Sequence, residues 1–158
     1  MTENASPADG LHGVGTSFVA ALVARDFPRL RETIAADVRF RLLVPRGPQE
    51  NSGADETVAR FVGWFGGVDE LRLESSYVNT VADRLVMTYR LRLRDASGWR
   101  LIEQHLVATL ASDSRIGTLD LLCTGFHPCD ATPIAVRSVP VAAATPAALA
   151  AAALAAIA

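Results

Sequence analysis

Residues 83–128, DRLVMTYRLRLRDASGWRLIEQHLVATLASDSRIGTLDLLCTGFHP, decide the fold. Side-chain alternation reads them as long antiparallel strands joined by tight turns. A turn at Ala96-Ser97 sets Leu91 opposite Ile102, Tyr89 opposite Gln104 and Met87 opposite Leu106, all on one face. The other face then joins Arg90 to Glu103 and Thr88 to His105, so opposite charges meet across the strands. A second turn at Asp113-Ser114 brings Leu121 to Leu106, Leu119 to Ala108 and Cys123 to Gln104, which carries the apolar face into a third strand. A one-residue slip would scatter these sets over both faces.

On that apolar face the only polar breaks are Tyr89, Gln104 and Cys123. A few polar groups in an apolar field are what a small-molecule pocket uses to orient a ligand. They are equally what a core shows when Tyr89 and Gln104 hydrogen-bond each other across the strands. The opposite face carries Val86, Thr88, His105, Val107, Thr118, Asp120 and Leu122. Its centre is more apolar than a free sheet surface, and a homodimer would cover it.

Working outward, residues 1–10 are small and polar, and are expected to be disordered. Thr16 to Arg25 has a helical stripe of Phe18, Val19, Leu22 and Val23, with Thr16 or Ser17 as the cap. A short helix follows Asp26, with Pro28 in its first turn and Leu30 and Ile34 facing inward. Residues 37–42 alternate as a half-buried strand, Val38, Phe40 and Leu42 inside and Arg39 and Arg41 outside. Pro45 to Gly53 reads as a loop. Ser52 or Asp55 then caps a third helix carrying Val58, Phe61, Val62 and Phe65, ended by Gly66-Gly67. Trp64 beside that stripe is a candidate for the mouth of a pocket. Leu71 to Thr80 is a strand whose register depends on the loop after it. A three-residue loop, Val81 to Asp83, places Ser75 opposite Tyr89 and Tyr77 opposite Met87, and is preferred because it keeps Arg72 and Glu74 out of the core. Residues 131–158 are an Ala/Pro-rich linker and a marginal helix.

The chain of 158 residues suits one domain, spanning 11–130, with a formal net charge of −2. That charge supplies no basic field for nucleic acid. No apolar run approaches the roughly 20 residues of a membrane span, and no secretory signal is evident, so a cytoplasmic protein is expected. Cys123 and Cys129 are too few for a disulfide framework. Cys123, His127, Cys129 and Asp130 offer metal-ligand types, but without paired ligands from two places, so neither a metal nor a cofactor is expected. No glycine-rich phosphate loop is present.

The element order, together with YRLRLRDASG, IEQHL and RIGTLDLLCTGFHP, resembles the SnoaL-like, or nuclear-transport-factor-2-like, superfamily over about Leu11 to Pro128. The resemblance implies an α+β fold, a cone-shaped curved antiparallel sheet wrapped by three N-terminal helices, with a pocket inside and frequent dimerisation through the sheet. Family members include ketosteroid isomerases, polyketide cyclases, epoxide hydrolases, dehydratases and catalytically silent modules, so fold does not decide function. The expectation is a protein that binds a small lipophilic ligand, an isomerase, cyclase or hydratase acting on a carbonyl or hydroxyl compound. The alternative is a non-catalytic dimeric accessory or assembly module. Ligand-binding candidates are Tyr89, Gln104, Tyr77, Ser75, Cys123 and Trp64. No catalytic set transfers: isomerase chemistry needs a carboxylate base, and of the nearest candidates, Asp37 and Asp120, the latter alternates outward.

Overall fold

A computed structural model describes residues 7–132. Three helices, α1 (Pro7–Val23), α2 (Phe27–Glu32) and α3 (Ala54–Phe65), pack against seven strands. The strands are β1 (Ile34–Val44), β2 (Gly47–Ser52), β3 (Glu70–Val81), β4 (Arg84–Asp95), β5 (Gly98–Leu110), β6 (Ile116–Cys123) and the short β7 (His127–Pro128). The curved α+β sheet runs β2-β1-β6-β5-β4-β3, with β7 beside β5. Its neighbours are antiparallel except β1 and β6, which run parallel, so the expected antiparallel sheet is a mixed one. The long connection that a parallel pair requires is the rest of the chain between them.

The register read from residues 83–128 holds. Leu91 lies opposite Ile102, Tyr89 opposite Gln104 and Met87 opposite Leu106, and Leu121, Leu119 and Cys123 fall on their expected partners. The second turn is wider than expected, closing from Ala111 to Arg115. An irregularity opposite Thr109 and Leu110 leaves Gly117 unpaired and restores the register below it.

Three expectations are corrected. The first helix begins at Pro7, inside the segment expected to be disordered and well before Thr16. Its Gly10, Gly13 and Gly15 lower intrinsic helicity, but packing compensates: Leu11, Phe18 and Leu22 are buried, and a Cβ on Gly15 would come within 2.7 Å of Leu85 and Val78. Residues 47–52 form an edge strand, not a loop, after a turn at Pro45-Arg46. Pro48 is tolerated there because an edge strand leaves some N–H positions unpaired. Finally, β3 meets β4 through the two-residue turn Ala82-Asp83, and a bulge at Glu74 separates the pairs Leu73/Leu91 and Ser75/Arg90. The bulge reverses facing along the strand. Leu71 and Leu73 keep the parity of the inner leucines, whereas Tyr77 pairs with Thr88, 58 % exposed, and Ser75 is exposed as well. Two smaller differences follow: Ile34 starts β1 instead of ending α2, and Gly53 caps α3 without a side-chain bond.

Helices meet sheet around Phe61. Its ring packs edge-on to Phe18 at 5.6 Å and to Trp64 at 5.5 Å, and stacks on Phe40 at 5.8 Å. Val38 and Phe40 of β1 are fully buried. On the outer face Arg90 meets Glu103 at 2.6 Å, Arg39 meets Glu50 at 2.9 Å and Arg41 meets Asp120 at 2.5 Å. No helix among the described residues is long and apolar enough to cross a membrane. Beyond Thr132, the linker and helix expected at 131–158 lie outside the described residues.

Candidate functional site

Adjacent strands carry Tyr89, Gln104 and Cys123 to the same level of the inner face, as the register demands. Tyr89 and Gln104 are fully buried, and the Tyr89 hydroxyl donates to Gln104 Oε1 at 2.6 Å. Gln104 Nε2 in turn donates to Cys123 Sγ at 3.5 Å. Burial, with the nearby Cys123, pushes the Tyr89 phenol well above its ordinary pKa. Tyr89 therefore stays a neutral donor, and its proton already has an acceptor.

Cys123 is where this chain of bonds reaches the edge of a cleft. The cleft, about 570 Å³, is bounded by Val44, Pro45, Arg46, Gln49, Arg60, Trp64 and residues 123–127. Three pieces of local structure build it. The β1–β2 turn carries Arg46, and β2 carries Gln49 just beyond it. Helix α3 presents Arg60 and Trp64 one turn apart. The chain leaving β6 folds over the third side: Thr124 N donates to Glu103 O at 3.0 Å, and Gly125 N to Cys123 Sγ at 3.4 Å. Gly125 adopts φ +83°, and a Cβ there would lie 2.6 Å from Pro45 Cγ, so only glycine lets this loop close against the turn. Phe126 then packs at 6.4 Å from Phe65.

The lining is aromatic and aliphatic with convergent polar groups. His127 Nε2 lies 2.8 Å from Thr124 O. In the neutral imidazole that contact makes Nε2 the donor and leaves Nδ1 as an acceptor. Arg60 Nη2 donates to Asn51 Oδ1 at 3.3 Å.

Of the six candidates from sequence, Trp64 and Cys123 border this cleft, while Tyr89 and Gln104 lie behind Cys123 and do not line it. Tyr77 and Ser75 belong to the other face of the sheet, where the Tyr77 hydroxyl accepts from Asn79 Nδ2 at 2.7 Å. Arg46, Gln49, Arg60 and Phe126 were not singled out by sequence, and His127 was weighed there only as a metal-ligand type. Arg46 was hidden in a segment read as loop. Arg60 follows Glu56 by one helical turn, a spacing that suggests an ordinary surface ion pair. Among the described residues no group of three or more His, Cys, Asp or Glu side chains is placed to hold a metal ion.

Compared by sequence, the chain matches no family model and no curated protein. Solved structures do match. A protein provisionally named a ketosteroid isomerase, from Kribbella flavida, superposes with a TM-score of 0.59 at 12% identity, over 85% of this chain and 90% of its own. A provisionally named polyketide cyclase from Xanthomonas campestris gives 0.62 at 16% identity, over 74% and 92%. An LEH-like epoxide hydrolase from M. tuberculosis gives 0.59 at 13%, over 75% and 85%. Identities this low carry the fold and nothing finer. The chain has the SnoaL-like, nuclear-transport-factor-2-like fold.

Proposed function

We propose that this chain binds a small lipophilic molecule in the cleft between Trp64, Phe126 and Cys123. The observation that carries the reading is the cleft itself. About 570 Å³ bounded by two aromatic rings, with Gln49, His127 and Cys123 beside them, falls in the range of small-molecule sites. The fold neighbours bear the names of enzymes of small molecules, which supports an enzyme-like role. Isomerase, cyclase or hydratase chemistry on a carbonyl or hydroxyl compound would take its proton-transfer group from His127, whose Nδ1 remains an acceptor. Tyr89 and Gln104 act one layer behind, fixing Cys123. Two free thiols suit a reducing, cytoplasmic setting. Native mass spectrometry of protein purified from its own host tests the reading. A retained small molecule should be lost in Trp64→Ala, which removes the ring that walls the cleft, and kept in Val107→Glu, which alters the far face. Retention in Trp64→Ala would place the ligand elsewhere.

A second reading has its own support. The outer face exposes Leu43, Val107 and Leu122, at 50%, 40% and 48%, around an open groove of about 800 Å³ that also holds the Arg41–Asp120 pair. A homodimer through this face would cover that apolar surface, and a dimeric accessory module needs nothing more. Val107→Glu introduces like charges near the two-fold axis and should yield a folded monomer by light scattering. Wild-type protein that is monomeric at micromolar concentration would exclude the dimer.

A further inference from the structure

We infer that the cleft selects an organic anion, a ring-bearing apolar molecule with a carboxylate or comparable group held by Arg46 and Arg60. The inference rests on the reading of the cleft as a ligand site and adds the charge of its ligand. The pattern of arginine pairing carries it. The chain contains no lysine, so its permanently charged cationic side chains are all arginines. Among the described residues, ten of them form ion pairs with carboxylates: Arg31, Arg39, Arg41 and Arg72, Arg84, Arg90 and Arg92, and Arg94, Arg100 and Arg115. Four described arginines do not: Arg25, Arg29, Arg46 and Arg60. Arg25 is spent on the Val68 carbonyl near the end of α1. Two of the remaining three face one cleft, and no Asp or Glu lines it.

One carboxylate stands near Arg60, beside an adjoining hollow and outside the cleft, without forming an ion pair with it. Glu56 precedes Arg60 by one turn of α3, but its Oε2 accepts from Ser52 N at 3.3 Å. Arg60 instead donates to Asn51 Oδ1, a neutral acceptor that orients the guanidinium without compensating it. In a chain of net charge −2 with 17 acidic residues, a concave site that bears two guanidinium groups outside any ion pair, and no carboxylate in its lining, is a local positive field. Partial enclosure by Trp64, Phe126 and Pro45 strengthens it by excluding water. Guanidinium matches a carboxylate through two parallel N–H donors, and the rings beside it supply the apolar contact. The groove on the outer face is the internal control. It too has apolar side chains beside an arginine, but there Arg41 is bound through two nitrogens by Asp120, at 2.6 and 2.5 Å.

Calorimetry with 2-naphthoate and its neutral counterpart 2-naphthamide tests this on the whole chain. At low ionic strength naphthoate should bind about tenfold or more tightly than naphthamide, as charge-assisted hydrogen bonds predict. The double variant Arg46→Gln/Arg60→Gln should bind both probes with the affinity wild type has for naphthamide. The pair Arg46→Lys/Arg60→Lys, which keeps the charge and loses the fork, should retain part of the preference. Arg41→Gln should retain all of it. Equal affinity of the two probes for wild type, or a preference that survives the double Gln variant, overturns the anion inference and leaves the cleft standing as a ligand site. No heat with either probe, and no change in tryptophan fluorescence, overturns the reading of the cleft itself.

Discussion

Cys123 separates two polar clusters that differ in how far their bonding is completed. Behind it, the Tyr89 hydroxyl finds Gln104 Oε1, and Gln104 Nε2 finds the Cys123 sulfur, all in a region closed to solvent. In front of it, Arg46 and Arg60 face a cleft without a carboxylate. Polar residues on an apolar face look alike in a sequence whichever of these situations they meet. The completed set fixes a core, and the incomplete set has bonding capacity left for a ligand.

The sharpest way to break this contrast is to remove one member of the buried set. Gln104→Leu leaves the Tyr89 hydroxyl without its acceptor and should cost about 1–3 kcal/mol in denaturant unfolding. The double variant Gln104→Leu/Tyr89→Phe should recover most of that loss, because no unsatisfied hydroxyl remains. A single variant as stable as wild type would mean that solvent reaches the pair. Gly125→Ala addresses the wall between the clusters. Forcing φ +83° on alanine should cost roughly 1–2 kcal/mol, and displacement of the loop from Pro45 should weaken naphthoate binding as well. Unchanged binding in a destabilised protein would show that the loop does not shape the site.

Smaller effects are expected from the cleft arginines. Arg46→Gln and Arg60→Gln should each unfold within about 0.5 kcal/mol of wild type, since neither gives up an ion pair. A large loss would make them structural. The outer face supplies the pH-dependent comparison. The hydrogen bond from Arg90, helped by His105, holds the Glu103 carboxyl below its ordinary value against the opposing effect of burial. The folded protein thus binds this proton less readily than the unfolded chain. Its stabilisation is fully present above the unfolded value, about 4.3, and is lost as pH falls through the lower folded value. Glu103→Gln should remove that acid-sensitive step, at most about 1 kcal/mol for a partly exposed pair, in unfolding curves taken from neutral to acidic pH.

Much of the fold was legible because alternation and charge agree in β4, β5 and β6: only one register places Tyr89 on Gln104 and Arg90 on Glu103 together. The bulge at Glu74 was not legible, since one inserted residue reverses parity without changing composition. That is how Tyr77 and Ser75 came to be assigned to the wrong face. The edge strand β2 was obscured by its Pro, Gly, Asn and Ser content, although the two-residue turn before Gly47, at φ +106°, is a hairpin device. Half of the candidate site suffered the same fate. Trp64 and Cys123 belong to elements that the pattern located, whereas Arg46 and Arg60 become notable only once the positions of every carboxylate are known.

Amide chemical-shift mapping of the labelled full chain titrated with 2-naphthoate distinguishes a ligand in front of Cys123 from one behind it. The largest shifts should fall on Arg46, Gln49, Arg60, Gly125 and the Trp64 indole N–H, while the Gln104 side-chain amide stays unmoved. Shifts centred on the Gln104 side chain, or on Arg41, Val107 and Leu122 of the outer face, would contradict a site in front of Cys123.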